Sequence, residues 1–386
     1  MRIGINASFA RKLNTGIGQV TVNFLRKLAE IQDSKMEFIL YLEEDMDLPL
    51  PKNFTKNIFL PVYKREDLIR KIWWEKYLLP KKAEKDGCDV FISLYQCPTI
   101  FHKKKGFIKH LMIVHDIIPK FFPEYLNNFR KKTYWNLTET AIGKANKIIA
   151  ISHKTEKDLI NHLQIEAGKI TVVSVAADEI YSQEVSDSES KRVLEKYNLK
   201  KGYIYSGGGL EVRKNTEGTI RAYKKLLDTN TFFNKEIPEL VISGKLMPEL
   251  APLVTDAQAL AQSMGLENKV KFLNFVPQED LPALYKNSVL FSYPSFYEGF
   301  GIPVLEAMHQ GVPILTSKNS SLPEVGADTV LYCNPLDIND IAMVMKNILS
   351  NEHLRQVLSE KGKKRSANFS WDKFTKKILN IISSIS

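Results

Sequence analysis

The segment Pro294–Ser317 reads PSFYEGFGIPVLEAMHQGVPILTS and follows an apolar run that ends at Tyr293. The apolar run predicts a buried strand, the glycines around Glu298 predict a loop, and Pro303 suits the first turn of a helix. A strand, a glycine loop and a helix in this order form the repeating unit of a parallel α/β sheet, which binds ligands at the carboxyl ends of its strands. The segment therefore predicts an architecture and the position of a site.

Two glutamates in this segment, Glu298 and Glu306, have seven residues between them. The glycines Gly299 and Gly301 let the backbone approach a ligand closely, and the helix N-terminus beside them favours an anion such as a phosphate. Glu298 could accept hydrogen bonds from sugar hydroxyls, and Glu306, about two turns into the helix, could hold a ribose diol. The alternative is that Glu298 caps the helix and Glu306 lies on its exposed face. The coincidence of glycines, proline and strand–loop–helix order favours a site.

A second segment, Gly207–Asn215 (GGGLEVRKN), follows the predicted strand Tyr203–Ser206. Gly208 lies in its glycine turn, and a helix is predicted to begin at its end. The adjacent cations Arg213 and Lys214 could neutralise the diphosphate of a nucleotide. The alternative is a solvated basic turn.

The N-terminal half contains a shorter glycine loop, Thr15–Gln19 (TGIGQ), before a predicted helix. It lacks the third glycine of a dinucleotide fingerprint. The amides around Gly16 and Gly18 could contact the donor phosphate or the acceptor, or the loop could be only a tight turn.

Short apolar runs alternate with amphipathic segments along the whole chain, which predicts two α/β domains with parallel sheets. Residues 1–178 and 200–370 are the predicted Rossmann-like domains, facing each other across a cleft. A helix at about 371–386 is expected to pack back on the first domain. The stretch between the domains, Ala176–Lys200, is rich in Glu, Ser and Lys and is expected to be a connector.

The composition, 44% hydrophobic and 25% charged over 386 residues, is that of a soluble globular protein. Cys88, Cys97 and Cys333 have no metal-type spacing and are expected to be reduced and buried. The N-terminus shows no signal peptide, and no apolar run is long enough to span a membrane, so the expected location is cytoplasmic.

The formal charge of +10 is compatible with three kinds of partner, namely nucleic acid, an anionic membrane or phosphate-bearing substrates. The alternative is that the charge reflects only a lysine-rich genome. The segment Lys64–Lys82, KREDLIRKIWWEKYLLPKK, mixes Trp73, Trp74 and Tyr77 with basic residues, and Lys103–Lys105 adds a second cluster. This mixture is typical of interfacial helices, which predicts peripheral contact with an anionic membrane; the alternative is a helix packed on its own domain. No nucleic-acid-binding motif is present, so nucleic acid is not an expected partner.

The stretches PSFYEGFGIPVLEAM, GVPILTS and SLPEV together resemble the retaining glycosyltransferases of the GT-B group, family 4 type, also described as glycosyl transferases group 1. That family includes bacterial mannosyltransferases and sucrose-phosphate synthases, and its mark is the glutamate pair seen here. GGGLEVRKN and TGIGQ match its other signatures. His115 and Asp116 resemble its HD-I-x-P segment, and Ser152 matches a serine at a strand end, although it could equally cap a helix.

The resemblance implies a nucleotide diphosphate sugar as donor and a glycan or lipid-linked acceptor. It implies that the domain 1–178 binds the acceptor and that the domain 200–370 binds the donor. It implies His115, Arg213, Lys214 and Glu298 as catalytic residues, with His115 beside the transferred sugar; a lone histidine is more often structural, and Asp116 is structural or faces the acceptor. The implied donor-binding residues are Gly16, Gly18, Gly208, Arg213, Lys214, Gly244, Val276, Glu298, Gly299, Phe300, Gly301 and Glu306. The base is expected near the Ser243-Gly244 and Phe275–Pro277 turns.

The resemblance further implies transfer of a hexose with retention at the anomeric carbon, aided by the leaving phosphate oxygen and by no metal or cofactor. Asp45 and Asp47 fit the letters of a metal motif but lie in a polar loop. GDP-mannose is the first expected donor and a UDP-hexose the second, in surface polysaccharide synthesis. Two alternatives are a sugar-nucleotide epimerase and an inactive binding homologue on the same fold.

Overall fold

A computed structural model describes residues 1–13, 15–31, 35–61, 68–102, 108–229 and 236–385. The chain divides into two compact units, the first formed by Met1–Ala176 with Ser370–Ser386 and the second by Ala177–Phe369. Each unit is built on one parallel sheet, so the predicted pair of parallel α/β domains is confirmed.

The first unit has a seven-stranded sheet in the order β3-β2-β1-β4-β5-β6-β7, and every pair of neighbours is parallel. Its central strands are buried on both faces, as strands covered by helices on both sides must be. The strands are β1 (Arg2–Asn6), β2 (Glu37–Leu42), β3 (Phe54–Ile58), β4 (Val90–Ser93), β5 (Lys109–Val114), β6 (Lys147–Ala150) and β7 (Ile170–Val172).

The helices of the first unit are α1 (Gly16–Glu30), α2 (Leu68–Trp73), α3 (Leu79–Lys85), α4 (Ile118–Phe121), α5 (Phe129–Lys144), α6 (His153–Leu163) and α15 (Trp371–Ile385). A π-helical turn, Trp74–Leu78, joins α2 to α3. The C-terminal helix α15 packs against α1, where the rings of Phe24 and Phe374 meet edge to face at 5.9 Å.

The second unit has a six-stranded parallel sheet in the order β10-β9-β8-β11-β12-β13. Its strands are β8 (Tyr203–Ser206), β9 (Leu240–Ile242), β10 (Val270–Phe272), β11 (Ser288–Tyr293), β12 (Ile314–Ser317) and β13 (Leu331–Cys333). Its helices are α7 (Asp187–Lys196), α8 (Thr216–Asp228), α9 (Ala257–Ser263), α10 (Leu281–Lys286), α11 (Ile302–His309), α12 (Leu322–Gly326), α13 (Ile338–Ser350) and α14 (Glu352–Ser366).

Both sheets have a point at which the strand order reverses, between β1 and β4 in the first and between β8 and β11 in the second. Open α/β sheets bind ligands in the crevice outside the carboxyl ends of the two strands at such a point. The loop after β8 carries Arg213 and Lys214, and the loop after β11 carries Glu298. The topology therefore brings the two signature segments of the sequence to one edge.

Two elements differ from the sequence prediction. Strand β3 was not expected, because it lies at the sheet edge and buries only Phe54, so it shows no apolar pattern. The expected connector contains α7, which Ser186 caps by accepting the amide of Glu189 at 3.1 Å. Only two residues of α7 are buried, which hides its helical period in the sequence. This helix belongs to the second unit, where Arg192 pairs with Asp280 at 2.5 Å.

Candidate functional site

Glu298 is the centre of a buried hydrogen-bond network at the edge of the second sheet. Its Oε1 accepts hydrogen bonds from Lys214 Nζ at 2.9 Å and Tyr293 OH at 2.7 Å, and its Oε2 accepts one from Arg213 Nη1 at 2.9 Å. Ser295 Oγ lies 2.8 Å from both Oε1 and the carbonyl of Arg213, which compete for its one proton. A carboxylate offers about four lone-pair sites in all, two on each oxygen. Oε2, with one of these contacts, has capacity for a further donor such as a sugar hydroxyl.

The ionisation of Glu298 follows from this network. Burial by itself would raise its pKa, but the charges of Arg213 and Lys214 and the hydrogen bonds from Lys214 and Tyr293 outweigh burial and lower the pKa to about 2. Burial and the charge of Arg213 lower the pKa of Lys214, while Glu298 opposes that shift. Glu298 is thus an anion at neutral pH, so it accepts hydrogen bonds and does not act as a general acid.

Arg213 connects the network to a second carboxylate. Its Nη2 lies 2.5 Å from Glu211 Oε2, and its Nη1 also donates to the carbonyl of Tyr297 at 3.2 Å. Arg213 and Lys214 carry two positive charges, and Glu211 and Glu298 carry two negative ones. The cations expected to bind a diphosphate are therefore balanced by two carboxylates in this structure.

The side chain of Asn215 connects the loop after β8 to the loop after β11 by hydrogen bonds. It adopts the left-handed conformation with φ 57° and caps α8 by accepting the amide of Gly218 at 3.1 Å. Its Nδ2 donates to the carbonyls of Pro294 at 3.1 Å and Pro335 at 2.8 Å. Because this one side chain holds three segments, the spacing of Arg213 from Glu298 is fixed by the fold.

The glycine turn after β8 lies directly against α11. Gly208 has φ 94°, and a Cβ there would come 3.1 Å from Tyr293 Cε2 and 3.2 Å from Pro303 Cγ. Gly209 has φ 105° and open space around it. The turn thus needs glycine for its conformation and for its close approach to the start of α11.

The loop before α11 is rigid because hydroxyl groups hold its backbone. The one hydroxyl proton of Ser321 is shared between the carbonyls of Glu298 and Phe300, which lie 2.9 Å and 2.8 Å from its Oγ, while Ser320 Oγ accepts the amide of Glu298 at 3.0 Å. Gly299 and Phe300 are buried in this loop. Sequence reasoning missed these serines, although the quoted stretch SLPEV begins at Ser321.

Gly301 begins α11 with φ 112°, and a Cβ there would come 2.8 Å from Leu322 Cδ2. No side chain caps this helix end, so the idea that Glu298 is the helix cap is wrong. Pro303 is in the first turn, as predicted.

Glu306 lies in the second turn of α11, closer to the helix start than the predicted two turns, and it is 6% exposed. The alternative of an exposed surface residue is therefore wrong. Tyr285 OH donates to its Oε2 at 2.9 Å. Burial raises the pKa of Glu306 to about 7, although its tyrosine neighbours oppose the shift. Its neighbour Tyr285 was not predicted, because it comes from α10 and carries no motif.

The two turns predicted to read the base are joined by Asn274. Its carbonyl accepts the amide of Gly244 at 2.8 Å, and its Oδ1 accepts the amide of Leu246 at 3.2 Å. Val276 is buried, and its neighbour Phe275 is 54% exposed. The residues of these turns therefore form one surface at the ends of β9 and β10.

Gly16 and Gly18 open α1 in the first unit. Thr15 caps the helix by accepting the amide of Gly18 at 3.1 Å, and its carbonyl accepts the amide of Gln19 at 2.9 Å. A Cβ on Gly18 would come 1.9 Å from the carbonyl oxygen of Lys12, so packing requires glycine there. The cap leaves the amide of Gly16 as the one of this pair suited to a ligand. Asn14 lies outside the described residues.

His115 follows β5 in the first unit and is buried. Its Nε2 donates to the carbonyl of Leu94 at 2.9 Å, and burial lowers its pKa to about 4, so the ring is neutral at pH 7. Asp116 Oδ1 accepts the amide of Ile118 at 3.0 Å. Ser152 accepts the amide of Thr155 at 3.0 Å and caps α6, which is the structural role weighed above.

Other predicted features have a place in the structure. Asp45 pairs with Lys56 at 2.8 Å. Within the described ranges, no group of three or more His, Cys, Asp or Glu side chains could hold a metal ion. None of the helices in those ranges is long and apolar enough to cross a membrane. All three cysteines are buried and free.

Two family models match this chain, one in its N-terminal half and one in its C-terminal half. Residues 14–179 match Glycosyltransferase Family 4, and residues 187–365 match Glycosyl transferases group 1. The O-antigen chain mannosyltransferase B of Escherichia coli is 29% identical over 375 residues, which cover 95% of each chain. The sucrose-phosphate synthase of Thermosynechococcus elongatus has a TM-score of 0.76 at 16% identity, over 100% of this chain and 99% of that one. Anabaena HepE, solved with UDP and glucose, has a TM-score of 0.73 at 16% identity over 100% of both chains.

Two parallel α/β sheets place the chain in the GT-B fold, and the family matches to both halves of the chain identify it as a glycosyltransferase. The chain belongs to the glycosyl transferases of group 1, family 4 type. The enzyme class and the family implied by the sequence are confirmed. The individual roles of the site residues stay predictions.

Proposed function

We propose that this chain transfers mannose from GDP-mannose to a glycan or lipid-linked oligosaccharide acceptor in the synthesis of a surface polysaccharide. The observation that carries the proposal is the buried Glu298, which holds Arg213 and Lys214 at the reversal point of the second sheet. The choice of mannose is supported by the name of the Escherichia coli relative, which aligns over 95% of this chain. HepE supports a nucleotide-sugar donor, because it was solved with UDP and glucose.

The donor would bind through its charges and its hydroxyls. Its diphosphate would lie at the glycine turn and the N-terminus of α11, where amides and the helix dipole favour an anion. Arg213 and Lys214 would neutralise the charge that develops as the sugar leaves. Glu298 would accept a hydroxyl of the transferred sugar through Oε2, and Glu306 would accept the ribose hydroxyls.

We infer a retaining mechanism in which the leaving phosphate oxygen takes the acceptor proton on the face from which it departs. Glu298 supports this route, because an anion that accepts hydrogen bonds on both carboxylate oxygens is a poor nucleophile. In this mechanism Arg213, Lys214 and the N-terminus of α11 would stabilise the leaving diphosphate in place of a metal ion. His115, neutral and fixed through Nε2, would contact the transferred sugar.

The test is calorimetric binding of GDP-mannose, UDP-glucose, UDP-galactose and dTDP-rhamnose, with and without EDTA, to the wild type and to Glu306→Ala. We expect GDP-mannose to bind tightest, EDTA to have no effect, and Glu306→Ala to weaken binding on the order of tenfold. Glu360→Ala, an exposed glutamate of α14, is the matched control and should bind as the wild type does.

Tightest binding of a UDP-sugar would replace the donor and keep the mechanism. Conversion of a bound donor to its epimer without an acceptor would identify an epimerase instead. Failure of every donor to bind would reject the proposal in favour of an inactive binding homologue.

We also propose peripheral contact with an anionic membrane, at the inner face of the cell membrane. Ile69, Trp73 and Tyr77 lie four residues apart along the joined α2–α3 helix and are 45%, 54% and 43% exposed. Lys76 Nζ lies 5.2 Å from the Tyr77 ring. An exposed aromatic pair with a neighbouring cation on a chain of charge +10 suits an anionic interface.

Part of the predicted basic aromatic segment faces inward. Trp74 is 1% exposed and donates to the carbonyl of Phe59 at 3.0 Å, and Arg70 pairs with the buried Glu43 at 2.5 Å. Lys64, Arg65 and Lys103–Lys105 lie outside the described residues. Flotation with phosphatidylglycerol vesicles should recover the wild type and lose the double variant Trp73→Ser, Tyr77→Ser, with phosphatidylcholine vesicles as the control. Equal recovery of both proteins would reject this contact.

A further inference from the structure

A second buried glutamate lies beside the reversal point of the first sheet. Glu75, in the π-helical turn, has a side chain that is 1% exposed. The hydroxyl of Tyr95 donates to its Oε1, and the hydroxyl of Tyr134 donates to its Oε2 at 2.9 Å. Lys71 Nζ lies 3.8 Å from Oε1. Neither Glu75 nor these neighbours belong to the donor site proposed above.

Three aromatic rings surround the ammonium of Lys71. Its Nζ lies 4.6 Å from the centroid of Phe9, 5.1 Å from that of Tyr95 and 5.0 Å from that of Tyr134. The side chain keeps 26% of its surface exposed. The distance to Glu75 is that of an ion pair and exceeds a hydrogen bond. With respect to the residues that the structure describes, the ammonium therefore has donors left for a ligand that approaches from solvent.

This cluster shares a glutamate, a lysine and a tyrosine with the proposed donor site in the second unit. There, Tyr293 OH donates to Glu298, and Lys214 Nζ lies 5.1 Å from the Tyr293 ring. Tyr293 is the last residue of β11, and Tyr95 comes just after β4. The strands β4 and β11 hold the same place in their sheets, beside the reversal point. Each sheet thus carries a Glu–Lys–Tyr cluster where ligands are expected.

Glu75 and its neighbour Trp74 both lie in the π-helical turn, and both are buried. A π-turn inserts one residue into a helix, and such turns often occur at functional sites. Thr99 Oγ1 donates to the carbonyl of Glu75 at 2.8 Å and so satisfies the disturbed backbone. Burying a carboxylate is costly, so a glutamate buried at this point of the fold is a candidate for a functional role.

We propose that Lys71 and Phe9 form a subsite for a sugar residue of the acceptor glycan, with Glu75, Tyr95 and Tyr134 as positioning residues. The sugar would pack its apolar face on the partly exposed ring of Phe9, and one of its hydroxyls would accept a hydrogen bond from Lys71 Nζ. The inference rests on the proposed mannosyl transfer for the identity of the acceptor.

The test uses octyl α-mannobioside as the acceptor probe and the full chain with Lys71→Met, which keeps the stem and removes the charge. With saturating GDP-mannose, we expect KM for the probe to rise on the order of tenfold, as for loss of a hydrogen bond from a charged group. KM for GDP-mannose and its slow hydrolysis without a probe should not change. Lys85→Met, an exposed lysine of α3, is the control and should retain the wild-type KM for the probe.

A second variant, Phe9→Leu, removes the stacking surface and its contact with Lys71 but keeps both charges of the ion pair, and it should also raise KM for the probe. If Lys71→Met lowers only the melting temperature and leaves KM for the probe unchanged, Lys71 merely neutralises Glu75 and the inference is overturned. Saturation-transfer NMR distinguishes failure of the subsite from failure of the proposed function, because this measurement of probe binding needs no turnover. Probe signals should appear with the wild type and weaken with Lys71→Met, even if GDP-mannose proves to be the wrong donor; equal signals would overturn the subsite.

Discussion

The ammonium of Lys214 lies 2.9 Å from the carboxylate of Glu298, although 84 residues separate them in the sequence. Both side chains are buried, and Arg213 lies on the other carboxylate oxygen. Ion pairs in such surroundings contribute little net stability but are costly to break, because the remaining charge is left without a partner. The site therefore depends on its charge balance, and the balance can be altered one residue at a time.

Removing the charge of Glu298 should destabilise the second unit. In Glu298→Gln, the two cations lose their shared buried anion, and we expect the free energy of unfolding to fall by about 3–5 kcal/mol. Urea unfolding followed by fluorescence measures the change. Glu217→Gln, at an exposed ion pair with Arg221, should cost less than about 1 kcal/mol. Equal effects of the two substitutions would contradict a buried charge balance.

Removing the charge of Glu211 should strengthen donor binding. Glu211 is partly exposed and occupies Arg213 at 2.5 Å, so Glu211→Gln frees this guanidinium for a diphosphate. We expect Kd for GDP to fall by roughly twofold to fivefold, the size of an exposed ion pair. Isothermal calorimetry at low salt measures it, and the gain should shrink at 0.5 M NaCl. Weaker binding by Glu211→Gln would show that Glu211 positions Arg213 and does not compete for it.

Substituting Asn215 should separate its cap from its cross-links. Asn215→Asp keeps the cap oxygen and tolerates the left-handed conformation, but it loses the bonds to Pro294 and Pro335. We expect it to cost about 2–4 kcal/mol, with two lost hydrogen bonds and a carboxylate placed against carbonyl oxygens. Asn128→Asp changes an exposed cap of α5 and should cost under about 1 kcal/mol. Scanning calorimetry compares the two, and similar losses would mean that the cap alone matters.

Nucleotide binding should depend on the protonation of Glu306. Its pKa is raised to about 7, so the group is mostly neutral at pH 6 and mostly ionised at pH 8. The ionised form offers both carboxylate oxygens to the ribose hydroxyls as acceptors, whereas the neutral form keeps one of them as a donor. We therefore expect Kd for GDP-mannose, whose phosphates do not titrate in this range, to fall by roughly fivefold to tenfold from pH 6 to pH 8. Glu306→Gln should bind weakly with no such dependence. A pH dependence that persists in Glu306→Gln would assign the titration to another group.

Unfolding of the first unit should take up protons at mildly acidic pH. Burial lowers the pKa of His110 to about 3 and that of His115 to about 4, whereas an unfolded histidine titrates near 6.5. The unfolded state therefore binds more protons between pH 6.5 and pH 4. The contribution of these histidines to the free energy of unfolding is fully present above pH 6.5. As the pH drops below that value, the free energy of unfolding decreases by about 1.4 kcal/mol per pH unit for each histidine.

Scanning calorimetry at pH 5 in buffers of different ionisation enthalpy measures this uptake. We expect about two protons from these histidines, and about one fewer in His115→Gln. His153→Gln changes a largely exposed ring and should leave the uptake unchanged. An uptake that His115→Gln does not reduce would show that the ring is already charged in the folded protein.

Local patterns were enough to predict much of this protein. Alternating apolar runs and amphipathic segments gave two parallel sheets, because burial on both faces leaves a continuous apolar run in the sequence. The sequence predicts glycine loops around Gly208 and Gly301, and both residues have positive φ values next to packed side chains. Glu298, Arg213 and Lys214 could be named from two short segments. Their convergence follows from strand order, since β8 and β11 are neighbours.

Long-range packing determined the rest. Tyr285, Ser320 and Ser321 contact the site from other elements, and nothing in their local sequence marks them. The ionisation of Glu298 and Glu306 is the clearest case. Both are buried glutamates within one segment, yet two cations lower the pKa of the first to about 2, and burial raises that of the second to about 7. A sequence lists which charges a chain carries, but the energy of each depends on its distance from the others and from water, and only folding sets those distances.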